Sequence, residues 1–376
     1  MRILSIANCM ADESLGSGYV IANFIRGMRA RGHEVDFFGP DDFNFLGFVR
    51  KARSHRQSVG MLLCALRQLR TKAYDVVELW GGEAWLVTPL LSLKPRRRFL
   101  LAAHSNGLEC HSDEVKLRNL GAWTLDGSKP GLLRRVLRPQ WRLAFSAADG
   151  IVTVSDYDRR YAVEKKLQPP ERVLAIENPL PQSFLGQRVD FSREQVIGYC
   201  GSWMPQKGSA AMRSDLPRLL AEFPQCRVRF IGVGNDFKPD AFFPNEILPR
   251  VEVIPFVSDR ERLREMYRTL SILVMPSVYE SFGLVAAESM ACGCALAAPR
   301  TGFAADLRDR EEFVAMHDPH SPSLYEAVRE LLASESFRRK IAEGGFSRVQ
   351  SLKWEPAIEA VERAYVSWLR GLRSAK

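Results

Sequence analysis

Two glutamates separated by seven residues are the side chains most suited to chemistry in this sequence. Glu280 follows the apolar run 270–274, which predicts a buried strand, and Glu288 lies in a helix predicted from Leu284 to Cys292. The neighbours of Glu288 are small and apolar, so its carboxylate needs a partner, because burying an unpaired charge is costly. Sugar hydroxyls are suitable partners, since each can donate a hydrogen bond to a carboxylate. The alternative is an amphipathic helix with one solvent-facing glutamate.

The loop between the two glutamates is a potential anion site. Ser281, Phe282 and Gly283 lead into the predicted helix, which begins at Leu284. The free N–H groups at a helix start, together with the helix dipole, attract an anion such as phosphate. This strand–loop–helix unit therefore predicts an anion-binding helix start close to the carboxylates of Glu280 and Glu288.

This segment carries a resemblance to a known family. The pattern E-SFGLVAA-E, with PS before it and MACG after it, resembles the paired-glutamate motif of retaining glycosyltransferase family 4. The resemblance covers most of the chain: it is weak at the start, strong over 251–307 and recognisable over 354–369. It implies the α/β GT-B architecture, in which two Rossmann-like parallel domains face a central cleft. The expected domains are residues 1–185, which would bind the acceptor and be completed by the terminal helix 355–376, and residues 186–354, which would bind the donor nucleotide.

The resemblance also implies roles for residues of the donor side. Glu288 would bind the ribose hydroxyls of the donor, and Glu280 would bind hydroxyls of the transferred sugar. In the family, the loop that corresponds to 201–208 reads Gly-Arg-x-x-x-x-Lys-Gly, and its Arg and Lys hold the diphosphate. Lys207 is in register with this pattern, but Ser202 stands at the arginine position. Lys207 is therefore expected to be the main side-chain cation on the diphosphate, unless another arginine such as Arg300 contributes.

Further site residues follow from the same resemblance. His104 ends a predicted strand and is expected to contact the donor sugar, while Asn106 and Glu109 on the following loop would meet the acceptor. Gly16 and Gly18 form a predicted loop that lets the backbone approach a phosphate or sugar. The remaining donor contacts would come from Ser202, which can still donate one hydrogen bond, and from Gly234, Val257, Ser281, Phe282, Gly283 and Leu284. A structural histidine and a ligand-free glycine loop remain the alternatives.

These residues favour one reaction class and leave others open. The expected reaction is glycosyl transfer with retention, from a nucleotide-diphosphate sugar to a glycan or lipid-linked acceptor in cell-surface polysaccharide or glycoconjugate synthesis. No Asp-x-Asp metal motif is present where one would be needed, so no metal and no further cofactor are expected. A non-catalytic sugar-nucleotide-binding protein and a sugar-nucleotide epimerase of the same fold remain alternatives. A nicotinamide dehydrogenase is disfavoured, because Gly16 and Gly18 lack the third glycine of G-x-G-x-x-G.

The pattern of the whole chain agrees with an α/β protein of two domains. The chain has 376 residues, a length that suits two domains of ordinary size. Apolar runs alternate with amphipathic stretches, beginning with a strand at 1–7, a helix at 19–31 and a strand at 33–38, which predicts parallel crossovers. The seven cysteines are scattered, which suits reduced thiols in a cytoplasmic protein. No secretory signal or membrane-spanning run is evident.

The positive charge is concentrated in the first half of the chain. The net charge is +9; residues 1–185 hold 27 Lys and Arg against 19 Asp and Glu (+8), whereas residues 186–376 hold 26 against 25 (+1). The segment 132–142 combines four arginines with leucines and a tryptophan, the profile of a helix on an anionic membrane surface. A solvated basic face is the alternative. No nucleic-acid recognition motif accompanies the charge. The sequence indicates neither the donor sugar, the base, the acceptor nor the oligomeric state.

Overall fold

Two parallel β-sheets organise the chain, each within its own compact unit. The computed structural model describes residues 1–48, 52–94, 97–118, 140–234, 237–316 and 323–374. The N-terminal unit comprises Met1–Glu114, residues 140–179 and residues 354–374, and most of the C-terminal unit is Leu180–Lys353. The division between Pro179 and Leu180 lies a few residues before the boundary predicted at 185 and 186.

The N-terminal unit has a six-stranded sheet in the order β2-β1-β3-β4-β5-β6. All neighbouring strands are parallel. The strands are β1 (Arg2–Ala7), β2 (Glu34–Phe38), β3 (Val76–Trp80), β4 (Leu100–His104), β5 (Gly150–Thr153) and β6 (Val173–Ala175). The described helices are α1 (Gly16–Ala30), α2 (Arg53–Thr71), α3 (Val87–Ser92), α4 (Glu109–Arg118), α5 (Trp141–Ser146), α6 (Asp156–Glu164) and the C-terminal α12 (Trp354–Ser374).

The two faces of this sheet are covered by different helices. Residues such as Leu4, Val77 and Leu101 form one core with apolar side chains of α2, α3, α5 and α6. Because successive strand residues point to opposite faces, Glu78 and His104 lie on the other side. There they contact α12, which also packs against α1. Burial on both faces explains why the strands read as nearly continuous apolar runs.

The C-terminal unit has a second six-stranded parallel sheet, in the order β12-β11-β10-β7-β8-β9. Its strands are β7 (Val196–Cys200), β8 (Arg227–Ile231), β9 (Val251–Ile254), β10 (Ile272–Val274), β11 (Ala295–Ala298) and β12 (Val314–Ala315). Its helices are α7 (Ser209–Glu222), α8 (Arg260–Arg268), α9 (Leu284–Ala291), α10 (Leu324–Ala333) and α11 (Glu335–Val349). The predicted α/β class with two parallel sheets is confirmed.

Several local predictions differ from the structure. Helix α1 begins at Gly16, so Gly16 and Gly18 lie in its first turn and not in a loop. A side chain at position 18 would meet the backbone of Met10 and Asp12, which explains this glycine by packing alone. Helices α4, α7 and α8 were not predicted. The amphipathic segment proposed at 132–142 lies outside the described residues except for its last three positions. None of the helices in the described ranges combines the length and hydropathy that a membrane span requires.

A fully buried carboxyl group connects the sheet to the C-terminal helix. Glu78 in the central strand β3 accepts a hydrogen bond from the Tyr365 hydroxyl at 2.8 Å. The Tyr365 hydroxyl also shares a hydrogen bond with His104 Nε2. Burial raises the pKa of Glu78 to about 7, while the hydrogen bond from Tyr365 opposes this shift. Burial likewise lowers the pKa of His104 to about 3, so its imidazole is neutral at physiological pH.

Replacing Glu78 with glutamine should change how stability depends on pH. A carboxyl whose pKa is higher in the folded than in the unfolded chain stabilises the fold at low pH, and this contribution is lost as the pH rises through about 7. Between pH 5 and pH 8, Glu78→Gln should therefore gain on the order of 1–3 kcal/mol in stability relative to wild type. Urea unfolding at both pH values measures this difference. Parallel pH profiles of the two proteins would show that Glu78 does not titrate in this range.

Candidate functional site

Two loops at the carboxyl ends of neighbouring strands are held together in the C-terminal unit. The loop after β7 ends at Gly208, which has a φ of 80°, and an added side chain there would lie 2.3 Å from the carbonyl oxygen of Pro276 in the loop after β10. The Val278 N–H also donates to the carbonyl oxygen of Gln206 at 3.0 Å. Because β7 and β10 are adjacent in the sheet, these contacts place the two loops side by side.

This contact brings Lys207 and Glu280 together. The distance between Lys207 Nζ and Glu280 Oε1 is 2.5 Å, and both side chains remain partly accessible. Ser202, which stands at the expected arginine position, is exposed, and its carbonyl oxygen accepts a hydrogen bond from Tyr199. Trp203 packs face to face with Phe242 in an aromatic cluster, which accounts for it without a ligand. Two residues predicted to hold different parts of a donor are therefore ion-paired to each other.

Glu288 is buried and has a protein partner that was not predicted. Its Oε1 lies 2.5 Å from Arg260 Nη1, and the Tyr267 hydroxyl is 3.5 Å from its Oε2. Burial raises the pKa of Glu288, and the charge of Arg260 opposes that shift. Arg260 lies at the start of α8, whose first turn is capped by the side chain of Asp259. No local sequence pattern links Arg260 to Glu288, because the pairing depends on how α8 and α9 pack.

The start of helix α9 lies between the two glutamates. Gly283 precedes the helix with a φ of 92° and offers no capping side chain, and Leu284 is the first helical residue. The Phe303 N–H donates to the carbonyl oxygen of Phe282, whose ring packs against Phe303. Ser281 is nearly buried beside them. An uncapped helix start leaves backbone N–H groups that suit an anion.

Two more loops complete this edge of the C-terminal sheet. Strand β8 leads into Gly232 and Gly234, which have φ values of 73° and 91°. Strand β9 leads into Phe256, which is 64% exposed, and Val257, which is partly buried. The Phe256 ring lies against Gly232. All predicted donor-binding residues of this unit therefore follow the carboxyl ends of parallel strands, where such sheets bind ligands.

Arg300 does not replace the missing arginine in this structure. Its guanidinium lies 3.8 Å from Asp309 and over the ring of Phe313. Among the residues that the structure describes, Lys207 and the start of α9 are the positive groups beside Glu280. Within the ranges that the structure covers, no three His, Cys, Asp or Glu side chains converge as metal ligands would.

His104 has a different environment in the N-terminal unit. Its ring packs against Trp80 and Phe24, with centroid distances of 4.1 Å and 5.0 Å, and its Nε2 is shared with Tyr365. It lines an apolar cavity that is partly open to solvent, together with Val20 and Trp354. A neutral, buried imidazole can exchange hydrogen bonds with a ligand in this cavity but cannot supply a positive charge.

Asn106 and Glu109 place unpartnered polar atoms at the same edge of the N-terminal sheet. Among the described residues, neither amide atom of Asn106 nor Glu109 Oε2 has a hydrogen-bond partner, although all three atoms are buried. Glu109 lies against Gly82, in the connection after β3. Burial, and secondarily the charge of Glu83, raise the pKa of Glu109 to about 8. A protonated carboxyl and an amide can both donate and accept hydrogen bonds, which suits uncharged hydroxyl groups.

Known proteins resemble both units. The family model described as "Glycosyltransferase Family 4" matches residues 16–183, and the model described as "Glycosyl transferases group 1" matches residues 194–334. A curated relative, the D-inositol 3-phosphate glycosyltransferase of Corynebacterium jeikeium, is 29% identical over 182 residues. That alignment covers 46% of this chain and 43% of the relative, so the chain spans less than half of the relative's length.

Solved structures resemble the whole chain in fold. Sucrose-phosphate synthase from Thermosynechococcus elongatus has a TM-score of 0.76 at 18% identity, and the match covers 100% of both chains. Anabaena HepE in complex with UDP-glucose has a TM-score of 0.66 at 14% identity, covering 98% of this chain and 100% of HepE. At these identities the likeness is evidence for the fold. The family models and the two parallel sheets together show that this chain belongs to the family 4-like glycosyltransferases of the GT-B fold.

Proposed function

We propose that the protein transfers a sugar, with retention and without a metal, from a nucleoside-diphosphate sugar to a hydroxyl of a glycan or lipid-linked acceptor. The observation that carries the proposal is the group formed by Lys207, Glu280 and Glu288 around the start of α9. A cation and a helix start suit a diphosphate, and two carboxylates suit the hydroxyls of a sugar and a ribose. HepE, which shares the fold, was solved in complex with UDP-glucose.

In this proposal the donor rearranges the ion pair between Lys207 and Glu280. The departing diphosphate attracts Lys207, and Glu280 then accepts hydrogen bonds from the sugar. As the glycosidic bond breaks, Lys207 and the N–H groups at Gly283 and Leu284 stabilise the developing negative charge. The first turn of α1, which contains Gly16 and Gly18, adds a second helix start. The acceptor hydroxyl attacks on the same face as the leaving group, and its proton passes to the departing diphosphate oxygen, so no covalent nucleophile is required.

The remaining contacts fix the donor and the acceptor. Glu288 binds the ribose hydroxyls while the charge of Arg260 opposes the rise in pKa that burial causes, and Gly234 and Val257 contact the nucleotide. His104 donates a neutral hydrogen bond to the donor sugar. Asn106 and Glu109 bind the acceptor, and their lack of positive charge favours a neutral glycan hydroxyl over a phosphorylated one.

This activity would place the protein in the synthesis of cell-surface polysaccharide or glycoconjugates. It would act in the cytoplasm, at the inner face of the membrane when the acceptor is lipid-linked. A panel of sugar nucleotides identifies the donor by thermal shift, and the stabilising compounds are then incubated with and without acceptor glycans. Acceptor-dependent release of the nucleoside diphosphate supports the proposal. Binding without turnover indicates a sugar-nucleotide-binding protein, and acceptor-independent isomerisation indicates an epimerase.

Loss of Lys207 should nearly abolish transfer. Removing a leading electrostatic contact to developing charge lowers turnover by about a hundred- to a thousandfold, so Lys207→Ala should fall in this range. Ser202→Arg should be tolerated and tighten nucleoside-diphosphate binding, because it restores a second cation. Lys340→Ala, which removes an exposed lysine of α11, is the matched control and should behave as wild type. If Lys207→Ala keeps more than about a tenth of wild-type turnover, another cation holds the phosphates.

Neutralising Glu288 should weaken donor binding. Glu288→Gln preserves the shape of the side chain but loses charge-assisted bonds to ribose, which should cost about 1.5–3 kcal/mol in calorimetry with the nucleoside diphosphate. Arg260→Met should also weaken binding, because Glu288 would then take up a proton more readily, and this loss should diminish at high pH. Unchanged affinity in Glu288→Gln with an intact fold would remove Glu288 from the donor site.

Substitutions of Glu109 should weaken binding of the acceptor and leave binding of the donor unchanged. Glu109→Ala should raise the acceptor KM about tenfold, the equivalent of one neutral hydrogen bond. Glu109→Gln should stay near wild type at pH 7, since Glu109 is itself neutral there. As the pH rises through about 8, wild-type acceptor affinity should fall while that of Glu109→Gln stays constant. An unchanged acceptor KM in Glu109→Ala would contradict the assignment.

A further inference from the structure

One surface of the N-terminal unit combines exposed leucines with arginines. Helices α2, α3 and α5 cover the same face of the sheet, where Met61, Val87 and Phe145 of the three helices share one core. Helix α3 packs against both α2 and α5, so the outer sides of the three helices form a continuous surface. This α2–α3–α5 face consists of the exposed side chains of Leu63, Leu66, Arg67, Arg70, Leu90, Leu93, Lys94 and Leu143.

The spacing on α2 produces an amphipathic outer stripe. Leu63, Leu66, Arg67 and Arg70 follow the i, i+3, i+4, i+7 pattern, so they occupy one side of the helix. The opposite side is already buried in the core. A soluble helix usually presents polar residues to solvent, so exposed leucines among arginines need a separate explanation.

The loop before α2 extends the apolar part of this region. Phe45 and Leu46 are exposed, and Phe48 is 84% exposed. The Arg56 guanidinium donates to the carbonyl oxygens of Phe45 and Leu46, at 3.2 Å and 3.0 Å, which ties this loop to the beginning of α2. Two aromatic rings and a leucine are thus held beside the basic helix.

The helices of this face contain basic residues and no acidic ones, and the nearest acidic residue before α2 in the sequence is Asp42. No Asp or Glu occurs from Phe43 to Tyr74, nor within α3 or α5. Arg67 and Arg70 form no ion pair with the described residues. Elsewhere in the same unit, exposed arginines such as Arg26 and Arg31 are paired with glutamates. The α2–α3–α5 face therefore keeps uncompensated cations next to exposed apolar side chains.

We propose that the α2–α3–α5 face and the Phe45–Phe48 loop dock onto an anionic lipid bilayer. The arginines and Lys94 would contact lipid phosphates, and the leucines and Phe48 would enter the boundary between headgroups and acyl chains. Charge of one sign, interleaved with leucine, matches a bilayer better than a protein partner, whose interface core is depleted in charge. The proposal rests on the N-terminal unit alone and does not depend on the donor site.

Co-sedimentation of the full chain with vesicles tests this docking surface. Wild type should bind phosphatidylcholine vesicles that contain phosphatidylglycerol, bind pure phosphatidylcholine at least about tenfold more weakly, and lose affinity between about 0.05 M and about 0.5 M salt. The variant Arg67→Glu/Arg70→Glu should bind the anionic vesicles at least about tenfold more weakly, because two attractions become repulsions. The variant Leu66→Ser/Leu93→Ser should reduce the binding that remains at high salt.

A charge-matched control distinguishes the contribution of this face to vesicle binding from the contribution of the protein's overall charge. Lys340→Glu/Arg370→Glu makes the same change in net charge at exposed positions of α11 and α12, and it should bind within about twofold of wild type. Circular dichroism confirms that each variant is folded. The proposal is overturned if the control loses as much binding as Arg67→Glu/Arg70→Glu. It is equally overturned if wild type binds neither vesicle, as expected of a surface for a protein partner, or binds both alike.

Discussion

The backbone contact between Gly208 and Pro276 is the constraint on which the donor-side residues depend. Position 208 has a left-handed conformation and no room for a side chain, so the loops after β7 and β10 approach more closely than any other residue would allow. This approach sets Lys207 against Glu280 and brings both to the start of α9. The same strand order that makes β7 and β10 neighbours therefore assembles a cation, a carboxylate and a helix start.

The carboxyl groups of Glu288, Glu78 and Glu109 are removed from solvent in three different surroundings. Glu288 is paired with a cation, Arg260, whereas Glu78 accepts a hydrogen bond from the neutral hydroxyl of Tyr365 on one oxygen and has no partner for the other among the described residues. Glu109 has an oxygen without a partner among the described residues. Burying charge is costly, so burial raises the pKa of all three carboxyl groups, and at Glu288 the charge of Arg260 opposes that shift. The unpartnered oxygen of Glu109 retains hydrogen-bonding capacity that a ligand can use.

Within the described part of the N-terminal unit, exposed basic side chains have acidic partners in one region and lack them in another. Around α1 and β2, exposed basic side chains are balanced by glutamates, as in the pairs of Arg31 with Glu359 and Glu362. On α2, Arg67 and Arg70 have no acidic partner among the described residues and stand beside leucines. Four arginines and no acidic residue lie on α2, so this helix carries part of the excess positive charge of the first half of the sequence.

The sequence by itself determined the fold class and most of the strands and helices. Apolar runs and helical periodicity are local signals, so the parallel α/β pattern and the segment from Glu280 to Glu288 could be interpreted from neighbouring residues alone. The tertiary structure decided which side chains pair with one another. Arg260 and Glu288 are far apart in sequence, as are Tyr365 and Glu78, and only the packing of helices on each sheet brings them together. It also decided that Gly18 serves packing in the first turn of α1 and that His104 is buried and neutral, because burial depends on distant residues that no local pattern specifies.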